Sequence, residues 1–420
     1  MRTAAWAFLV VAGLVAIARG PGRALHEGDD LAPAYAASRA WLLGQNPYDG
    51  ATLTRVLFDA GRGTDAGGRR TEGPAIYAPT LFVALAPIAA LPWGAARIAF
   101  LLVALALFAW HLPALLRLAQ LSWRDTAGVW LAGGILALAP YHTGIALGQP
   151  AIPCVALVVL ALDRERAGGG TLAGVFLGVA LLLKPQIAAP FLLYFFLRHR
   201  PRPAWVSLAV LAGAALAGVA VLSAHGVPWL SDWRAALDAT RSGVEHDPAG
   251  PFSAQLVDLR PLVALTGMGG TDAVAAIVAL ALAALAYLWG RTLDASRDLL
   301  LAGTVGVLTL LGFYHRFYDA ALLSLPLAWS ASSWKSDATG TSSGRDTLAV
   351  VATVCCAVFF LPGAWMLQRL AIAGTVSGTS ARSFGWNVLL LRQQNWALVV
   401  LACTLLVAVR RARDRRMRGS

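Results

Sequence analysis

Thirteen apolar runs constrain this chain more than any other feature. They lie at about 4–18, 76–92, 95–116, 127–141, 147–162, 171–183, 186–197, 204–223, 272–289, 298–313, 317–331, 348–366 and 396–410. A membrane-crossing helix takes about 20 residues, with about 17 as a lower bound. Only 13% of the 420 residues are charged, against about 25% in soluble domains. Two soluble domains, which the length alone would allow, are therefore excluded. Backbone polar groups inside a bilayer must satisfy one another, so helices are expected. The reading is an all-α polytopic membrane protein with 10 to 13 membrane helices. No β-barrel alternation and no internal repeat is visible. Several runs are short, and two of them flank Pro185 as half-helices or as one kinked helix. The run 4–18, after Arg2, reads as an uncleaved first helix.

The net charge of +12 comes from 34 Lys and Arg against 22 acids, and all but two of the basic residues are Arg. They collect in short connections, which is the pattern of cytoplasmic membrane loops and not of a nucleic-acid binder. The segments 117–124, 163–166, 198–202 and 291–297 are expected on the cytoplasmic side. So is the basic tail 411–420, which follows the single membrane unit 1–410 and has the charge to attract anionic lipid head groups. A Ser/Thr/Gly-rich linker at 333–346 falls on the same side. The two long polar connections, 19–75 and 224–271, then share the outer side. That assignment leaves one run too many, and the short, proline-rich 76–92 is the candidate for a re-entrant segment. Cys154, Cys355, Cys356 and Cys403 all lie in apolar runs and suggest neither a disulfide framework nor a metal site.

Ionisable groups beside apolar runs are costly and therefore candidates for function. Lys184 is the only lysine before position 335. It interrupts "ALLLKPQIAAP", and its compact charge suits a phosphate, although a lysine can also snorkel to the interface. "HTGIALGQ" supplies His142 and Gln149, as ligands for a sugar hydroxyl or phosphate oxygen or as polar helix ends. "YHRFYD" holds Tyr314, His315, Arg316, Tyr318 and Asp319. An interfacial belt explains its tyrosines but not His-Arg. Arg316 offers a fork to a phosphate, His315 a group to orient a hydroxyl or share a proton, and Asp319 can pair with Arg316 at helical spacing. Near the N-terminus, "HEGDDLAPAYAASRAWLLGQNPYDG" places Glu27, Asp29 and Asp30 ahead of a short amphipathic helix over 35–43, expected along the membrane surface. One of these acids can serve as a general base and another as a helix cap. The loop 224–271 contains His225, Asp232, Trp233, Glu245, His246 and Asp247, which read mainly as a packed loop.

These residues resemble glycosyltransferase family 87, polyprenol-phosphate-mannose-dependent mannosyltransferases of the GT-C membrane fold. The resemblance runs through Asp30-Leu31, Tyr35, Ala37, Leu43-Gly44 and Pro47-Tyr48-Asp49, then "YAPTLFVALAPIAALP" and "GQPAIPCVALVVLAL". It continues through "LAGVFLGVALLLKPQIAAPFLLYFFLRHR" and "YHRFYDAALLSLP". Ala151 stands where the family's "GQ.N" helix usually has Asn. The resemblance implies a GT-C-type helical bundle and an inverting sugar transfer on the outer face of a bacterial plasma membrane. The donor is a polyprenyl-phosphate sugar and the acceptor a glycolipid or glycan, with membrane lipid as surroundings and no metal or other cofactor expected. Asp30 matches the family's catalytic acid and His315 its functional histidine. Lys184 matches a lysine expected at the phosphate. Asp29, Tyr35, His142, Gln149 and Arg316 complete the expected substrate contacts. The rival readings are a polytopic transporter or lipid flippase, and a GT-C-like glycan ligase. Transporters carry repeats and mid-bilayer charges, whereas these charges gather beside two loops on one face.

Overall fold

A computed structural model describes the chain except residues 27–29, 64–72, 242, 244–245, 251, 313, 339–346, 382 and 420. Each of the thirteen apolar runs forms helix over most of its length. Among the described residues, strand pairing is limited to one antiparallel bridge between Leu256 and Arg316. Six helices are long and apolar enough to cross a membrane: Arg2–Ala24, Trp93–Leu118, Pro201–Ala224, Thr271–Gly290, Ala295–Gly312 and Gln393–Arg418. Two bent pairs, Thr126–Ala137 with Ala139–Leu147 and Thr347–Phe360 with Gly363–Ile372, raise the number to eight. Three shorter apolar helices, Pro79–Ala89, Gly170–Leu183 and Pro185–Leu197, account for other short runs. The 11-residue Pro79–Ala89 helix is only about 16 Å long, half of a bilayer core of about 30 Å.

Glycines set the closest helix approaches. Gly174 and Gly178 of the Gly170–Leu183 helix face Val206 and Val210 of Pro201–Ala224. A Cβ on either glycine would come within 2.5 and 2.6 Å of those valines. This is the small-xxx-small spacing that lets helix backbones pack in lipid. Ser207 reinforces the contact by donating to the Gly174 carbonyl at 3.0 Å. Gly218, further along the same long helix, lies against Pro79, and a Cβ there would stand 2.8 Å from the Pro79 carbonyl oxygen.

The first long connection packs onto this scaffold. Its helix begins earlier than the sequence suggests, at Leu31, and runs to Leu42. Gly44 then turns the chain at φ +67°, a conformation that favours glycine. The helix is enclosed by protein: Leu31, Ala32, Ala34, Tyr35, Ala36, Ala37, Ser38, Ala40 and Trp41 are all buried. Its alanines and large apolar residues surround the axis, so it has no broad polar face to present to water. Trp41 donates to the Gly218 carbonyl at 3.0 Å. Asp49 caps the next helix, Gly50–Asp59, through Ala51 and Thr52. The second long connection carries the Trp229–Arg241 helix, tied to the first by Asn46 to Asp232 at 2.7 Å and by Trp233 to the Ile76 carbonyl at 3.0 Å.

Arg-rich segments meet at one end of the bundle. Arg117 pairs with Asp163 at 2.7 Å, Arg198 with Asp298 at 3.0 Å, and Arg200 with both Asp298 and Glu165. The Asp298–Gly312 helix leads away from this end and delivers the "YHRFYD" turn at the other. The Gln393–Gly419 helix runs continuously through the basic tail.

Candidate active site

Four breaks in helical structure carry the polar residues of the site. Asp30 occupies the N-cap position of Leu31–Leu42. Gln149 follows Gly148, which ends Ala139–Leu147 in the left-handed conformation at φ +70°, as glycine does at many helix ends. Lys184 stands between Gly170–Leu183 and Pro185–Leu197 with φ −153° and ψ 83°. Pro185 forces this extended geometry, because its ring excludes the helical conformation from the preceding residue. His315 and Asp319 belong to the turn and 3-10 helix, Phe317–Leu323, that join Asp298–Gly312 to Ser324–Ala338. Irregular backbone at such a depth is tolerated where protein surrounds it or a cavity opens.

The breaks converge in two polar groups. In one, Gln149 Nε2 donates to Asp30 Oδ2 at 2.6 Å. Although Asp30 sits at a cap position, its side chain makes no cap hydrogen bond; it reaches across to Gln149. In the other, Lys184 Nζ donates to Asp319 Oδ1 at 2.5 Å, and His315 Nδ1 meets Asp319 Oδ2 at 3.1 Å. Asp319 is the hub of this triad and is 1% exposed. Tyr318 lies between the groups. The Lys184 ammonium is 4.7 Å from its ring centroid, and both Asp30 and Asp319 act electrostatically on its phenol. Gly144 lies beside it and makes room for Ile152, whose side chain would be 2.5 Å from a Cβ there.

A rail of backbone holds His315. Its amide donates to Asp258 Oδ2 at 3.2 Å, and its carbonyl accepts from Val257 at 3.0 Å. Asp258 is fully buried and is gripped by the Arg260 fork at 2.9 and 2.8 Å. Asn395 donates to the carbonyls of Leu256 and Asp258 at 3.0 and 2.8 Å. His315 Nε2 is buried and makes no hydrogen bond within the protein. With Nδ1 held by Asp319, Nε2 is the ring nitrogen without a protein partner.

The remaining expected contacts take varied places. The Arg316 side chain donates to the Tyr314 hydroxyl at 2.5 Å and its amide to Asp319 at 3.2 Å. Asp319 takes Lys184 and His315 as its side-chain partners, where sequence spacing suggested Arg316. His142 is buried and bonds the Leu136 carbonyl. Tyr35 donates to the Leu91 carbonyl at 2.7 Å and packs edge-on against Trp93, which anchors the Asp30-bearing helix. Asp29, Glu27 and Glu245 lie outside the described residues. Asp258, Arg260 and Asn395 carried no motif signal, because their roles arise only when the second long connection meets the "YHRFYD" turn.

Glycosyltransferase family 87 matches residues 75–314, more than half of the chain. That range contains His142, Gln149 and Lys184 and stops one residue before His315, while Asp30 precedes it. A curated relative is the polyprenol-phosphate-mannose-dependent alpha-(1-2)-phosphatidylinositol mannoside mannosyltransferase of Mycobacterium tuberculosis (strain ATCC 25618 / H37Rv). It is 31% identical over 219 residues, 47% of this chain and 44% of the relative. The chain therefore spans less than half the length of the relative it matches. No solved structure matches. On the family match and an all-helical architecture with six to eight candidate spans, the chain belongs to glycosyltransferase family 87.

Proposed function

We propose that the protein transfers a sugar of the mannose class from a polyprenyl-phosphate donor to a glycolipid or glycan acceptor, with inversion, on the outer face of the membrane. The observation that carries this reading is the gathering of Asp30–Gln149 and Lys184–Asp319–His315 at the end of the bundle opposite the Arg-rich segments. The relative's dependence on polyprenol-phosphate-mannose, and its phosphatidylinositol mannoside acceptor, support the donor and acceptor classes.

Asp30 accepts the proton of the acceptor hydroxyl as its oxygen forms the bond to the anomeric carbon. Gln149 fixes the orientation of that carboxylate. The bond from the anomeric carbon to the phosphate oxygen breaks, and its electron pair leaves on the polyprenyl phosphate. The leaving group departs as an anion and needs no proton. Lys184 has three N–H donors, of which Asp319 takes one, so its ammonium can also address the phosphate as charge develops there. His315 Nε2 is suited to the same phosphate or to a sugar hydroxyl. Preorganised donors of this kind act where charge grows in the transition state.

The test is transfer by the purified chain from polyprenyl-phosphate mannose to a mannosylated lipid, with the anomeric configuration of the product read by NMR. An inverted product that requires the lipid-linked donor is expected. Transfer from a nucleotide sugar alone, or retention of configuration, contradicts the proposal.

A further inference from the structure

At the end of the bundle away from His315, Arg297, Arg411 and Arg415 line one cleft of about 50 Å³, together with Leu300, Trp329 and Ser333. The Asp298–Gly312 helix separates the two ends by 15 residues, about 22 Å of rise. Among the described residues no acid lines the cleft, and none of the three guanidinium groups makes an ion pair. Asp414 takes Arg410 and Arg413. Asp294 accepts from Ser296 as a cap and acts on Arg297 only through space, without an ion pair.

Arg411 and Arg415 are one helical turn apart, a spacing at which like charges repel. Arg297 brings a third positive charge from another element. A phosphate answers this arrangement: guanidinium forks match its oxygens in pairs, and an anion relieves the repulsion among all three. Leu300 and Trp329 are buried behind the charged mouth, at 3% and 7% exposure, so the wall that the cleft offers is mainly polar. We propose that this cleft is a site for a phosphate group, carried by an anionic phospholipid headgroup or free in solution, and separate from the sugar-transfer site.

General attraction of a basic tail would depend on net charge, whereas this cleft depends on position. Thermal unfolding of the full chain in neutral detergent separates the two. Phosphatidylglycerol is expected to raise the midpoint by roughly 2–4 °C, with no rise from phosphatidylcholine. Arg411→Gln/Arg415→Gln is expected to abolish the rise, and Arg410→Gln/Arg413→Gln, with the same change in charge, to keep it. If inorganic phosphate gives the same rise, lost in the same variant, the phosphate site is supported and its ligand is a soluble anion. No rise with either ligand, or an equal rise in both double variants, overturns the proposal.

Discussion

Lys184 and Asp319 meet at 2.5 Å although 135 residues separate them in sequence. The contact joins two helix breaks and leaves each side chain nearly buried, with 13% and 2% of its surface exposed. A buried pair of this kind contributes little net stability, but losing one partner strands a charge. Lys184→Met is therefore expected to cost about 3–5 kcal/mol, seen as an earlier thermal transition. Lys184→Met/Asp319→Leu is expected to recover most of that stability and none of the sugar transfer. A double variant that melts as early as the single one would show that the two residues do not act as a pair.

Gly178, with Gly174, permits the close approach between Gly170–Leu183 and Pro201–Ala224. Gly178→Val places its Cβ and two further methyl groups against Val210, where the Cβ alone would be at 2.6 Å. Overpacking should destabilise the protein by about 1–3 kcal/mol and displace Lys184 at the end of the first helix. Gly213→Ala, inside the same long helix where a Cβ meets nothing within 4 Å, serves as the control and is expected to raise the transition slightly, since alanine favours the helix over glycine.

Asp258 positions His315 through its amide and does not touch the reacting atoms in the proposed mechanism. Asp258→Asn weakens the grip of Arg260 and removes the charge-assisted bond to that amide. A displacement of His315 near 1 Å would lower kcat by about 10²-fold. Transfer kinetics with the donor varied should show this in kcat more than in KM. Unchanged kcat would remove the rail from the account.

Asp49 tests the local reading of "PYDG". Its carboxylate accepts from the Thr52 hydroxyl at 2.6 Å and the Thr52 amide at 3.0 Å. The Thr52 hydroxyl bond foremost holds its pKa below the ordinary carboxylate value, against a smaller upward effect of burial. Asp49→Ala should cost about 1 kcal/mol. Because the folded pKa is lowered, the stabilisation is present above the unfolded value and fades as pH falls through the folded one. Wild type and variant should therefore melt closer together in acid than at neutral pH.

Much of the architecture was legible because lipid imposes it. Long apolar runs become helices wherever they occur, and the Lys184–Pro185 and Gly148–Gln149 breaks follow from proline and glycine geometry. Asp30, Gln149, Lys184 and His315 stood out as polar groups beside such runs. Their partners did not, because pairing depends on which breaks face one another in space. Asp319 could be matched from sequence only with its near neighbour Arg316, and nothing in sequence brings Lys184 to it. The helix after Asp30 looked amphipathic over nine residues, yet alanines allow it to pack on all sides. Asp258 and Asn395 were silent because what they hold in place is backbone, the His315 amide and the Leu256 and Asp258 carbonyls, which any sequence supplies.

In the proposed mechanism Asp30, held by Gln149, removes the acceptor proton. Sugar transfer by purified Asp30→Asn, measured beside binding of the polyprenyl-phosphate donor, tests that role. Asparagine keeps the shape and cannot take up the proton. Transfer is expected to fall about 10²–10⁴-fold with donor binding retained. Transfer at the wild-type rate would contradict that role.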